Sequence, residues 1–72
     1  MMLRTWWIFT FGIGQVNGGK YVRIWGTYSE ARAKMVKKYG DKWAFQYEEK
    51  EYLNYFKTHP EVQSETFLEE IE

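Results

Sequence analysis

The sequence predicts a small α+β domain with the element order ββαβα, in which a short antiparallel sheet carries a helix on one face. Three observations support this fold class. Short runs of aromatic and β-branched residues read as strands, one well-delimited amphipathic segment reads as a helix, and 72 residues suffice for a single domain. We predict that residues 1–58 form this domain and that residues 59–72 form an acidic, partly helical tail.

The first two strands are predicted at residues 5–11 and 20–25, joined as a hairpin by a glycine-rich segment. Because side chains alternate along a strand, we predict that Trp7, Phe9 and Phe11 share one face of the first strand. The other face carries Trp6, Ile8 and Thr10. Because both faces are largely apolar, this strand needs cover on both sides.

The first helix has a start and a stop signal. Thr27 and Glu30 have the spacing of a capping box, and Gly40 is a typical helix terminator. The apolar stripe between them contains Tyr28, Ala31, Met35, Val36 and Tyr39. A helix is therefore predicted from Thr27 to about Tyr39.

A third strand is predicted at residues 42–47, followed by a second helix over residues 48–58 that Pro60 ends. Alternation sets three rings on one face of this strand: Trp43, Phe45 and Tyr47. The third strand can pair with either of the first two, so the strand order stays open.

The tail combines acidic residues with apolar ones at near-helical spacing. The apolar positions are Val62, Phe67, Leu68 and Ile71. We expect a partly ordered helix there, with a docking segment or a frayed end as alternatives.

Charge is balanced overall but divided along the chain. Residues 1–42 carry eight Lys/Arg against Glu30 and Asp41, a net charge of +6, whereas residues 43–72 carry two Lys against eight Glu, a net charge of −6. Either the acidic half is held against the basic half, in the same subunit or the next, or two surfaces serve two partners.

Composition argues against an enzyme. The chain has no cysteine and one histidine, His59, so neither a thiolate metal site nor a Ser-His-acid set can be assembled. The glutamates cluster as they do on solvated helix faces. We therefore expect a non-enzymatic protein without a metal or another cofactor, and the lack of a signal peptide indicates the cytoplasm.

Aromatic content is high, with fifteen Trp, Tyr and Phe in 72 residues. Large rings bury about 150–250 Å² each, more than a domain of this size can easily cover. The surplus predicts a homo-oligomer, a dimer or higher, with rings at an interface or in a ligand pocket.

The glycine-rich segment and the strand after it suggest a ligand site. Free backbone N–H groups beside a lysine can cradle phosphates, and rings interleaved with basic residues can stack bases. The candidate residues are Trp7, Gly14, Gln15, Gly18, Gly19, Lys20, Arg23, Trp25, Arg32 and Tyr47. The segment matches neither the P-loop nor the dinucleotide fingerprint, and a flexible hairpin turn is the alternative.

Net neutrality disfavours a long nucleic acid as the partner. A small nucleotide, which needs one stacked base and two or three cations, suits the charge better.

The runs WIFTFG at residues 7–12 and GKYV at residues 19–22 resemble a group of small uncharacterised phage and prophage proteins of Firmicutes. The stretch from Gly26 to Tyr47 resembles them as well. The resemblance covers residues 6–52 and contains no catalytic motif, so it assigns no residue a role.

The resemblance implies an accessory protein that counters host antiviral immunity. The expected mode is sequestration of a small nucleotide immune signal in a homo-oligomer, as phage sponge proteins do. The alternative is an inhibitor that binds a host defence protein through the acidic C-terminal half, as anti-CRISPR proteins do. Neither mode involves a membrane.

Overall fold

A computed structural model describes residues 3–12, 14–59 and 65–72, and it confirms the α+β class. Its elements, in chain order, are β1 (Thr5–Thr10), β2 (Lys20–Gly26), α1 (Tyr28–Tyr39), β3 (Phe45–Glu48), α2 (Glu49–Thr58) and β4 (Thr66–Ile71). The predicted hairpin and both predicted helices are present.

One sheet contains all the described strands, in the order β3-β1-β2-β4. β1 pairs antiparallel with β2 and with β3, so the third strand lies beside the first. β4 pairs parallel with β2. The sheet is therefore mixed, whereas the sequence predicted an antiparallel sheet without this fourth strand.

The main core lies between the sheet and α1, on what we call the α1 face. Its six buried members are Phe9, Phe11, Val22, Ile24, Ala31 and Met35. β1 and β2 supply the first four, and the helix supplies Ala31 and Met35. Burial of these apolar side chains is the main stabilising contribution to the fold.

α2 covers the centre of the opposite face, called here the α2 face. Ile8 and Thr10 are buried there, and Tyr52 of α2 is only 5% exposed. Tyr52 packs on Tyr21 and Tyr47, whose ring centroids lie 5.5 and 6.0 Å away. The cover that the apolar β1 pattern required is thus provided on both sides, although Trp25 stays 38% exposed at the margin.

The predicted capping box begins α1. The Glu30 amide donates to the Thr27 hydroxyl at 3.2 Å, and the Thr27 amide donates to the Glu30 carboxylate at 2.9 Å. The helix ends at Gly40, where φ is +68°. Only glycine adopts this region of the backbone map readily, so the chain turns sharply before Asp41.

The third strand begins at Phe45 rather than at residue 42, so its predicted start is wrong. Phe45 and Tyr47 pair with Thr10 and Ile8 and share the α2 face with them. Trp43 instead packs against the core on the α1 face, edge-on to Phe9 at 5.0 Å. Because Trp43 packs against the core, residues 42–44 leave the strand alternation and β3 begins only at Phe45.

The predicted tail helix is also wrong, because Thr66–Ile71 forms β4. Leu68 and Ile71 pack against the main core, which their strand positions allow. A register shift beside Tyr21 accommodates Leu68. The predicted roles of Pro60 and Val62 lie outside the described residues.

Candidate ligand-binding site

The candidate residues of the glycine-rich loop use their polar groups within the loop. The Gln15 amide donates to the Gly12 carbonyl at 3.0 Å, and the Gly18 amide donates to the Gln15 carbonyl at 2.9 Å. The Lys20 amide donates to the Asn17 carbonyl at 3.0 Å, and the Gln15 side chain accepts a hydrogen bond from the Gly12 amide. These turns engage donors that a phosphate would need.

Gly14 and Gly19 provide the positive φ angles of this loop, +95° and +81°. The Gly19 carbonyl also accepts a hydrogen bond from the Thr66 amide at 2.9 Å. The loop is therefore hydrogen-bonded to the start of β4, so Gly19 has a structural role.

Arg23 is held by two carboxylates on the α2 face. Its guanidinium lies 2.7 Å from Glu49 of α2 and 2.5 Å from Glu70 of β4. The same group lies 3.8 Å above the Trp6 ring. Because these contacts occupy the guanidinium, Arg23 joins three elements of the fold rather than presenting a free cation.

The three aromatic candidates are separated. Trp7 on the α1 face donates from its indole to the Gly26 carbonyl at 2.9 Å. Trp25 packs edge-on to Trp6 at 5.3 Å, and Tyr47 lies among α2 rings. Burial raises the pKa of Tyr47, with nearby Tyr55 and carboxylates adding to the effect. These rings do not form one binding surface.

Arg32 differs from the other two arginines of the sequence. Arg4 pairs with Glu30, and Arg23 pairs with two glutamates. Arg32 makes no ion pair within the part of the chain that the structure describes. Its guanidinium instead accompanies two rings, lying 4.9 Å from the Trp43 centroid and 6.0 Å from the Tyr28 centroid.

A hydrogen bond restrains Arg32 further, since Nη1 donates to the Tyr28 hydroxyl at 3.1 Å. Tyr28 and Arg32 are four residues apart on α1 and so share one side of the helix. The result is an exposed cation that is oriented but not neutralised.

A cleft of about 380 Å³ lies between α1 and the segment that leads into β3, and its lining includes Tyr28, Arg32 and Trp43. The complete lining is Tyr28, Arg32, Val36, Asp41, Trp43, Ala44, Phe45 and Gln46. Its volume falls at the lower end of the range for small-molecule sites, about 300–1,000 Å³. We call it the α1 cleft.

Gln46 is a lining residue of the α1 cleft and carries one unsatisfied polar atom. Its Nε2 donates to the Tyr28 carbonyl at 3.2 Å, which fixes the orientation of the amide. Its Oε1 is buried and has no hydrogen-bond partner among the described residues. A buried acceptor in this state costs about 1–3 kcal/mol.

Local folding explains how Trp43 reaches this position. The turn at Gly40 redirects the chain, and the Trp43 indole donates to the Gly40 carbonyl at 3.2 Å. Phe9 supports one side of the ring. These two contacts position the indole as a wall of the cleft.

Two tyrosines hydrogen-bond to glutamates of the C-terminal part. Burial and the Glu69 carboxylate raise the pKa of Tyr39 to about 12, and burial and Glu65 likewise raise the pKa of Tyr52. Burial raises the pKa of Glu65, while hydrogen bonds from Lys38 and Tyr39 lower that of Glu69. These pairs join α1 and α2 to the C-terminal segment and lie outside the α1 cleft.

Among the described residues, no group of three or more His, Asp or Glu is arranged to hold a metal ion. No helix in that part of the chain is long and apolar enough to cross a membrane. Comparisons with family models, with curated proteins and with solved structures gave no match.

Of the ten predicted site residues, Arg32 alone lines the α1 cleft. Sequence reasoning missed Tyr28, Asp41, Trp43 and Gln46. The spacing of Tyr28 and Arg32 on one helix was a readable signal. The inward turn of Trp43 was hidden, because residues 42–47 alternate like a strand.

Proposed function

We propose that this protein is a non-enzymatic binding protein that captures a small nucleotide-type ligand in the α1 cleft. The observation that carries the proposal is Arg32, an exposed cation that lies near two aromatic rings and has no carboxylate partner among the described residues. Guanidinium and aromatic planes stack on nucleobases, and guanidinium binds phosphate.

The size of the cleft supports a small ligand. About 380 Å³ accommodates one base with its sugar. A larger signal, such as a cyclic dinucleotide, needs clefts from two copies. This requirement agrees with the homo-oligomer that we propose from the aromatic surplus, including Phe45, which is 60% exposed.

The biological setting of the proposal comes from the resemblance to phage proteins. A small protein that binds a nucleotide stoichiometrically can remove an immune signal from the host cytoplasm without any catalytic group. We therefore propose a counter-defence role by sequestration, with the cytoplasm of the host as its place of action.

The alternative, an inhibitor with an acidic surface, receives less support. Three of the four ion pairs between described side chains join the basic half to the acidic half: Arg23–Glu49, Arg23–Glu70 and Lys38–Glu69. Glutamates that neutralise the chain's own cations present less charge to a partner. The divided charge thus serves the fold within one subunit.

Titration calorimetry with AMP, GMP, CMP, UMP, ADP-ribose and cyclic dinucleotides tests the proposal. The wild-type protein is expected to bind at least one of them, and Arg32→Met is expected to weaken that binding about ten-fold or more. Arg4→Met is the matched control, since Arg4 is an exposed arginine outside the α1 cleft. Failure of every compound to bind would refute the proposal.

A further inference from the structure

An aromatic corner lies at the margin of the α2 face. Trp6 and Trp25 are register partners on β1 and β2, so their side chains share this face. The two ring centroids lie 5.3 Å apart at an interplanar angle of 64°. Tyr52 covers the centre of the face, whereas Trp25 stays 38% exposed. The two indoles therefore form a corner that a ligand can reach.

Glu72 completes a pocket at this corner. A space of about 410 Å³ is lined by Trp6, Trp25 and Glu72, and we call it the tryptophan pocket. β4 runs parallel to β2 with Ile71 beside Ile24, so the next residue, Glu72, follows beside Trp25. Glu72 is exposed and makes no ion pair with any described residue. Its carboxylate is therefore available to a ligand.

The charges around the tryptophan pocket favour a cation. Arg23 lies 3.8 Å from the Trp6 ring centroid, but the two glutamates that hold it outweigh its charge. Lys34 is a second cation nearby, and its ammonium donates to the Trp25 carbonyl at 2.8 Å. Glu72 adds a third carboxylate to these two cations. The surroundings of the pocket are therefore acidic on balance, and the Arg23 contact shows an indole of this corner in contact with a cation.

We propose that the tryptophan pocket binds a small quaternary ammonium compound of the choline type, at a site separate from the α1 cleft. Trp is the best aromatic partner for a cation, and aromatic side chains recognise quaternary ammonium groups. A primary ammonium carries three N–H donors and a tight hydration shell, which a binding site must replace. Glu72 provides the one carboxylate of the described lining, which is too little for those donors. A methylated ammonium has no N–H donor and suits two indoles and one carboxylate.

The test follows the indole N–H resonances by NMR while choline is added to the full chain. Those of Trp6 and Trp25 should shift with a Kd of about 1 mM, and that of Trp43 in the α1 cleft should not. The uncharged carbon analogue of choline, 3,3-dimethylbutan-1-ol, and the primary amine ethanolamine should each bind about ten-fold more weakly. Trp25→Leu should weaken choline binding about ten-fold and Glu72→Gln about two- to five-fold. Asp41→Asn is the matched control, because it removes an exposed carboxylate outside the pocket.

The other outcomes overturn the assignment. If the uncharged analogue or ethanolamine binds as tightly as choline, the pocket does not select a quaternary ammonium. If Trp25→Leu and Glu72→Gln both leave the affinity unchanged, the assigned location is wrong. If choline fails to bind, the proposal fails, and binding of a trimethyl-lysine peptide in its place would assign the pocket to a modified protein. Circular dichroism verifies that Trp25→Leu is folded, and Glu72→Gln changes only an exposed side chain.

Discussion

Replacing Arg23 with methionine separates a structural role from a ligand-binding role. The guanidinium connects β2 to Glu49 of α2 and to Glu70 of β4, and it lies over the Trp6 ring. Methionine keeps much of the aliphatic stem but removes the charge and all the donors. The two glutamates are then left without their common cation.

The expected loss of stability follows from the three contacts. Each partly exposed ion pair contributes about 0.5–1 kcal/mol, and the cation–π contact contributes about 0.5–1 kcal/mol. Arg23→Met should therefore lower the free energy of unfolding by about 2 kcal/mol. A domain of this size has roughly 4–10 kcal/mol in total, so the variant should remain folded.

Urea denaturation followed by circular dichroism measures this loss. Arg23→Lys should lose about half as much, because a compact ammonium cannot bridge both carboxylates as the planar fork does. High salt should narrow the gap between wild type and Arg23→Met. A loss below about 0.5 kcal/mol, together with loss of nucleotide binding, would show that Arg23 serves a ligand and refute the reasoning.

Four further predictions concern the fold. Met35→Ala should cost about 2–5 kcal/mol in a thermal melt, because Met35 is fully buried in the main core; no change would contradict that core. Gly40→Ala should cost about 1–3 kcal/mol from backbone strain alone, since its φ is +68° and no atom lies near an added Cβ; equal stability would contradict the turn. The neutral Tyr39 hydroxyl stabilises the fold fully below its ordinary pKa of 10.0, and this contribution is lost as pH rises towards about 12. In Tyr39→Phe the free energy of unfolding should therefore fall less steeply with pH in this range; the same pH dependence as in the wild type would contradict the Glu69 contact. Deleting residues 66–72 should abolish cooperative unfolding, because β4 adds Leu68 and Ile71 to the core; a stable truncated domain would contradict this role.

The hairpin and α1 were predictable because their signals are local. Glycines mark the turn, and Thr27 with Glu30 marks the helix start within four residues. β4 was not predictable in this way. Its Glu and Leu residues favour a helix locally, but the open edge of β2 and the cations Arg23 and Lys38 give the segment partners as a strand.

The candidate site was less predictable than the fold. Arg32 was recognised as a cation, but its isolation from carboxylates depends on contacts made elsewhere in the sequence. Arg23 looked equally available until Glu49 and Glu70, 26 and 47 residues away, were seen to hold it. Long-range pairing decides which cations are free, and a single sequence does not reveal it.

The central claim is that ligand binds at the α1 cleft, and it is tested most directly by two-dimensional NMR of the labelled protein during titration with the nucleotide that binds most tightly in the calorimetric panel. The resonances of the Trp43 indole N–H and of the Arg32 side chain are predicted to shift. The amide resonances of Gly14, Gly18 and Gly19 are predicted to stay unchanged. Shifts confined to that glycine-rich loop, or no shift at all, would contradict the account.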